Sequence, residues 1–212
     1  VLLAFDTASP TVTVALHDGT DAVGELASEQ SMKHGEQLMP LIEEVVRRSG
    51  LAARDLTAIA VGVGPGPFTG LRVGLVTART LGHALEVPVY GACSLDVLAV
   101  EAVARHTVDG PFAVATDARR KEVYLATYDG DGHRVDGPAV VRPAEATTRG
   151  PVVGEGAEIY ADHFPGARGP LRPSAGWLAR AVADELVELS DPEPLYLRRP
   201  DAEIPRAPKP VS

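Results

Sequence analysis

An α/β protein made of two copies of one unit, the second trimmed, is the fold class that three observations predict. Strand-like stretches followed by helices alternating with strands fill the first half of the chain, a similar programme restarts at Pro111, and the opening strand of each copy ends on an aspartate, Asp6 and Asp117. The repeat is one of pattern and not of letters.

The elements follow in order. "LLAFD", "TVTVALH" and "AVGELAS" are strand-like stretches separated by the turn signals "TASP" and "DGTD", which predicts a three-stranded antiparallel meander. "HGEQLMPLIEEVVRRSG" places Leu38, Leu41, Ile42, Val45 and Val46 at helical spacing, with basic residues in the last turn and Gly50 as its stop. Pro40 inside that pattern predicts either a late start or a bend. "LTAIAVGV" reads as a buried strand, residues 69–85 as a helix, "VPVYG" as a short strand and "SLDVLAVEAVARH" as another helix. In the second copy "PFAVATD", "EVYLATYDG" and "RVDGPAVVR" read as strands, "PVVGEG" as the next strand, and "SAGWLARAVADELVEL" as an amphipathic helix. The division predicted is residues 1–109, residues 110–190, and a tail over 191–212 whose prolines argue for an extended or partly disordered arm.

Composition narrows the function classes. The chain has 212 residues, 45% of them hydrophobic and 23% charged, which is ordinary globular composition. No apolar run approaches the roughly 18 residues needed to span a bilayer, and "VLLAFDTAS" lacks the pattern of a secretory signal, so a cytoplasmic location is expected. One cysteine, Cys93, agrees with a reducing compartment and reads as a buried strand end and not a nucleophile. A net charge of -9 makes the chain alone a poor binder of polyanions. Its short basic runs, Arg119 to Lys121 and Arg198 with Arg199, read as a solvated turn and a solvated tail.

The stretch "GVGPGPFTGLRVG" invites a phosphate-loop reading and fails it. No lysine stands where a nucleoside-triphosphatase loop requires one, the dinucleotide spacing misses by one residue, and Pro65 and Pro67 have no N–H to offer an anion. The loop therefore reads as rigid, with Thr69 placed to cap the helix that follows. Gly70, Gly74, Ala78 and Gly82 recur every four residues and form a ridge of small side chains. Glycine inside a helix costs about 1 kcal/mol against alanine, so the ridge implies close approach of another helix, either of the same fold or of another subunit.

Catalytic constellations are sparse. The six histidines show no H-x-x-x-H pair, there is no cysteine pair for zinc, and no G-x-S-x-G elbow occurs. Asp6 and Asp117 have two readings: paired acids that hold a metal-bound nucleotide, or acceptors of backbone N–H bonds in their own turns.

"GPGPFTGLRVGLVTARTLGHALEVPVYGACSLDVLA", with "LLAFDTASPTVTVAL" and "DARRKEVYLATYD", closely resembles the bacterial TsaB family, formerly YeaZ, over roughly residues 1–130 and again at "PLYLRRPDA". That resemblance implies two related ribonuclease-H-like domains of the actin, sugar-kinase and heat-shock ATPase fold, and a part in making threonylcarbamoyladenosine in tRNA. The family is similar to its catalytic paralogue TsaD, whose two metal-binding histidines fall on Ser94 and Leu98 here, which implies a non-catalytic scaffold. The expected partners are a TsaD-like subunit, a TsaE-like ATPase, tRNA through the complex only, and a second copy of the chain when isolated. Dimerisation through the first-domain helices assigns Leu38, Ile42, Val45, Gly70, Gly74, Ala78 and Gly82 to an interface. Asp6, Thr7 and Asp117 become a nucleotide-binding remnant, with ATP or ADP and magnesium at the subunit junction and no tightly bound cofactor. A free-standing peptidase or a small-molecule kinase is the alternative.

Overall fold

The chain is described here from a computed structural model covering residues 1–28, 33–164 and 166–198. The meander is present as β1 (Leu2–Asp6), β2 (Thr13–His17) and β3 (Ala22–Ala27), followed by α1 (His34–Arg48), β4 (Ala58–Gly64), α2 (Phe68–Leu85), β5 (Val89–Cys93) and α3 (Ser94–Ala104). The second programme supplies β6 (Phe112–Asp117), β7 (Val123–Tyr128), β8 (Arg134–Val141), β9 (Val152–Val153), α4 (Glu155–Ile159), α5 (Ala175–Ala183) and β10 (Leu189–Ser190).

Two sheets result, ordered β10-β5-β4-β1-β2-β3 and β8-β7-β6-β9. In the first, β1 pairs antiparallel with β2 and parallel with β4; in the second, β6 pairs antiparallel with β7 and parallel with β9. This shared arrangement is the ribonuclease-H-like unit, present twice. Asp6 and Asp117 occupy equivalent positions, each at the end of its unit's first strand.

Period-two alternation sorts the core. Leu3 and Phe5 of β1 face α1 and α2 with Leu38, Ile42, Val45, Leu71 and Leu75, while Ala4 faces α5 with Leu178 and Ala179. Burying each large side chain is worth about 1.5–3 kcal/mol, so these two layers fix the register of β1. The middle of the molecule is α3, buried on every residue from Ser94 to Ala102, with Leu95, Leu98, Ala99 and Ala102 against Phe112, Val114 and Tyr128 of the second sheet. α1 begins at His34 and runs through Pro40, because packing of its apolar stripe outweighs one missing hydrogen bond.

Four expectations are corrected. Thr69 does not cap α2: Pro67 is the N-cap residue and Thr69 lies inside the first turn. Glu155 and Gly156 start α4 and do not prolong β9. α5 ends at Ala183, where Glu185 takes φ 54° and the Leu186 N–H reaches back to the Ala181 carbonyl, so that Val187 turns into the core. Finally, α5 and β10 belong to the first sheet, since α5 covers β1 and β2 and β10 pairs with β5; residues 175–190 are thus not part of the second unit.

The described part of the expected tail, residues 191–198, is a strap that lies on the body. The Leu195 N–H donates to the Val63 carbonyl at 2.9 Å, and the Leu195 side chain packs against both main core clusters. Tyr196 stacks on Phe68 at 4.7 Å, Arg72 Nε donates to its hydroxyl, and Arg79 pairs with Glu193. Arg199 and the prolines from Pro200 to Pro210 lie outside the described residues.

Candidate functional site

The cleft between the two units is closed by its own residues. Asp6 is 1% exposed; its Oδ1 accepts the Ala8 N–H at 2.7 Å and its Oδ2 accepts the Ser94 hydroxyl at 2.6 Å. Burial raises its pKa above the usual carboxylate range, opposed by those two bonds and by nearby His34. Gly62 is obligatory beside it, because any Cβ there would overlap the Asp6 carboxylate. Across the cleft, Asp117 accepts the Arg119 backbone N–H at 2.9 Å and pairs with the Arg119 side chain at 3.7 Å. Each aspartate is therefore engaged in its own turn. The space left between Ser9, Pro65, Ser94, Thr116, Asp117 and Arg119 is about 10 Å³, room for one water.

Thr7 is fully buried, and its hydroxyl donates to the Gly70 carbonyl at 2.8 Å. Close approach by Thr7 and, further along, by Val89 explains the glycine ridge. A Cβ at Gly70 would lie 2.5 Å from the Thr7 carbonyl oxygen, one at Gly74 would overlap Thr7 Oγ1, and one at Gly82 would overlap Val89. Ala78 is 0% exposed in the same core. The ridge meets strands of its own chain, so the expected interface of Gly70, Gly74, Ala78 and Gly82 is corrected to core. Leu38, Ile42 and Val45 are likewise buried within the chain, facing the sheet. The outward faces of the two helices carry other residues: Met39 on α1, and Arg72, Val76 and Arg79 on α2, with Val76 62% exposed.

At the lip of the cleft the β6–β7 turn has an unusual backbone. Arg119, Arg120 and Lys121 hold φ of 62°, 55° and 62°, three consecutive non-glycine residues in the left-handed region. That conformation costs roughly 1–2 kcal/mol per residue. The turn is closed by the Glu122 N–H to the Arg119 carbonyl and the Ala118 N–H to the Glu122 carbonyl, both 3.0 Å. Arg198 of the strap pairs with Glu122.

Sequence reading missed a buried polar network. Asp96, 5% exposed on α3, accepts the Tyr128 hydroxyl at 2.8 Å and lies 3.6 Å from Arg134. Burial raises the Asp96 pKa, and burial with Asp96 nearby pushes the Cys93 thiol up to about 12. The network floors a groove of about 610 Å³ between α3, α5 and the β7–β8 turn, but its charges are satisfied by one another. Ser94 and Leu98 are both buried, the first bound to Asp6 and the second packed in the core. Among the described residues, Asp129, Asp131 and His133, in a surface turn, bring donors close enough to share a metal ion.

The family model described as TsaD, tRNA N6-adenosine threonylcarbamoyltransferase, matches residues 22–167. An uncharacterised protein of Mycobacterium tuberculosis is 43% identical over 207 residues, covering 95% of this chain and 93% of that one. The tRNA threonylcarbamoyladenosine biosynthesis protein TsaB of Escherichia coli is 36% identical over 148 residues, 67% of this chain and 62% of that protein. The solved structure of YeaZ from Pseudomonas aeruginosa superposes with a TM-score of 0.75 at 30% identity, covering 92% of this chain and 99% of that one.

Proposed function

The chain belongs to the TsaB (YeaZ) family, and from that premise we propose that it is a scaffold subunit in the biosynthesis of threonylcarbamoyladenosine in tRNA. It would assemble with a TsaD-like subunit that carries the chemistry, with a TsaE-like ATPase as the third member and tRNA reached through the complex. The observation that carries the non-catalytic part is the closed cleft. Asp6 is bound to Ser94 and to the Ala8 N–H, and about 10 Å³ remains beside it. A nucleotide with magnesium, where one takes part, would sit at the junction with the partner. Ser94 and Leu98, at the positions of the paralogue's histidines, support the same reading: neither is an imidazole donor, and both are sequestered.

The docking face proposed is the outward side of α1 and α2, around Met39, Val76, Arg72 and Arg79. It pairs exposed apolar residues with a polar rim, which is the make-up of protein interfaces. Cys93 lends no support to a thiol-peptidase alternative: its thiol is buried, and burial with Asp96 nearby pushes its pKa up to about 12.

The test is reconstitution of tRNA modification from the TsaD-like subunit, the ATPase and the threonylcarbamoyl donor, with and without this chain. Modification that requires the chain is expected. Equal modification in its absence, or robust ATP turnover or peptidase activity by the chain alone, would overturn the proposal.

A further inference from the structure

The strap lies along one flank of α2. Glu193 pairs with Arg79 at 3.1 Å and Tyr196 stacks on Phe68 with ring centroids 4.7 Å apart, so rising strap numbers meet falling helix numbers and the two segments run antiparallel. Arg72 completes the contact: its guanidinium lies 3.7 Å over the Phe68 ring, and its Nε donates to the Tyr196 hydroxyl at 3.0 Å. At 100° per residue Val73 falls on the other flank, where it faces Gly35 of α1. α2 is thus a crest between two rails, and Val76, 62% exposed, stands on top of it.

Bracing does not account for every strap residue. Leu195 and Leu197 pack into the core clusters, and the Leu195 N–H bonded to the Val63 carbonyl fixes the path. Those contacts fasten the segment by themselves. Alternation between the two leucines leaves Tyr196 on the outer side, still 39% exposed after stacking. A ring held in one orientation at the surface adds little to the core, and Tyr is among the residues that carry binding energy at protein interfaces. Tyr196 is bonded to Arg72, one turn before Val76, and Met39 on α1 is 39% exposed. Arg72 and Arg79 are already engaged by the strap, so what this surface offers is apolar area framed by satisfied polar groups.

We propose that the strap is part of the docking face for the TsaD-like subunit, with Val76 and Tyr196 in one contact patch; this rests on the function proposed above. The occupant is that subunit because the patch is continuous with the α1 and α2 face assigned to it. Arg72 and Tyr196 are 124 residues apart in sequence, so the face is complete only when the strap is seated. The partner surface that fits it presents apolar side chains opposite Val76 and the Tyr196 ring, with polar groups at the rim.

The experiment measures the affinity of the full chain for the TsaD-like subunit by calorimetry, with a thermal melt of each free variant. Tyr196→Ala should weaken association on the order of tenfold or more while moving the melt less than Leu195→Ala does. Tyr196→Phe keeps the stacked ring and should restore most of the affinity. Glu193→Cys supplies a second readout that leaves the ring in place and decides the matter if Tyr196→Ala melts early. Its thiol is exposed while Cys93 is buried, and its alkylation should slow severalfold when the complex forms. Wild-type affinity in a folded Tyr196→Ala, or unslowed alkylation of Glu193→Cys, would overturn the inference; if Val76→Asp still abolishes assembly, the docking face stands and the strap is only a brace. Normal assembly of Val76→Asp would show the face itself to be misplaced and would remove this inference with it, leaving the scaffold role to the reconstitution. If Tyr196→Ala breaks self-association of the isolated chain, read by light scattering, and leaves the TsaD-like complex intact, the patch belongs to a second copy and the inference is overturned. A wild-type chain that fails to assemble at all removes the scaffold role and this inference together.

Discussion

Gly74→Ala isolates the meaning of the glycine ridge. The new Cβ would be placed well inside 3.0 Å of Thr7 Oγ1, closer than real Cβ contacts come, and Thr7 is buried with no free space to retreat into. Helix propensity favours alanine by about 1 kcal/mol. Against this stand overpacking at about 1–3 kcal/mol and displacement of a buried hydroxyl from its bond to Gly70, about 1–3 kcal/mol if it is left unsatisfied. The opposing terms sum to about 2–6 kcal/mol and the net to about 1–5 kcal/mol of destabilisation. With a urea m-value of about 2–3 kcal/mol/M for a chain of this size, a loss in the middle of that range lowers the urea midpoint by about 1 M. The partner substitution makes the argument specific. Thr7→Ala removes the obstructing oxygen, while the Gly70 carbonyl keeps its helical hydrogen bond, so Thr7→Ala/Gly74→Ala should recover most of the loss and give a coupling energy of about 1–3 kcal/mol in a double-mutant cycle. Gly74→Leu, with three more carbons, should lose the native transition altogether. If Gly74→Ala melts like wild type, shows no coupling to Thr7, and yet loses association with a partner, the ridge is a subunit interface and the packing account is wrong.

Four further outcomes are expected from the same packing. Val76→Asp, on the outward face of α2 and 62% exposed, should leave the thermal midpoint within a degree or two yet abolish co-elution with the TsaD-like subunit; retained assembly would remove α2 from the docking face. Truncation after Ser190, or Leu195→Ala alone, should lower stability by about 1–3 kcal/mol, because Leu195 fills the seam between both core clusters; a melt unchanged by either would show the strap to be ornamental. Glu101 is buried on α3 and its pKa is raised from 4.5 to about 7, burial dominating over the neighbouring Arg105. The folded state thus holds this proton more tightly than the unfolded chain, so its contribution to stability is complete below about pH 4.5 and is lost as pH rises to 7. Glu101→Gln should flatten that decline, of order 1–2 kcal/mol once solvent at the rim is allowed for, and an unchanged pH profile would sink the assignment. Cys93, with its thiol pushed up to about 12, should resist iodoacetamide at pH 8 in the native chain and react on unfolding, as read by mass spectrometry; fast native alkylation would reopen the nucleophile question.

The elements of the fold are legible because their signals are local. The short apolar runs in "LLAFD" and "PFAVATD", turn residues between strands, and the apolar stripe of α1 each act within a few residues, and they place both aspartates at equivalent strand ends. What fails is whatever depends on a distant partner. "SAGWLARAVADELVEL" has helical period to its end, yet the chain leaves the helix at Ala183 because Val187 and β10 gain more by joining the first sheet. Pro67 takes the capping position from Thr69 because the loop path is set against Ala8 of the opposite segment, where Gly66 has no space for a Cβ.

The candidate site divides along the same line. Small residues at every fourth position report how closely something approaches α2, and they carry no information on whether Thr7 or another subunit does the approaching; only the fold supplies Thr7. Asp96 shows the converse. In "SLDVLAVEAVARH" it marks a solvent face by every local rule, and it is buried because Tyr128 and Arg134 arrive from the second sheet to bond it. Those residues in turn read as ordinary strand positions. The Arg-Arg-Lys turn is the hardest case, since neither residue type favours left-handed backbone and no letter of the sequence predicts three in succession. Its conformation is imposed by the register of β6 on β7, where Asp117 pairs with Val123 and leaves five residues to reverse the chain. Strain of this kind is written in the pairing of strands and not in the residues that bear it, which is why the segment looks most ordinary where it is most constrained.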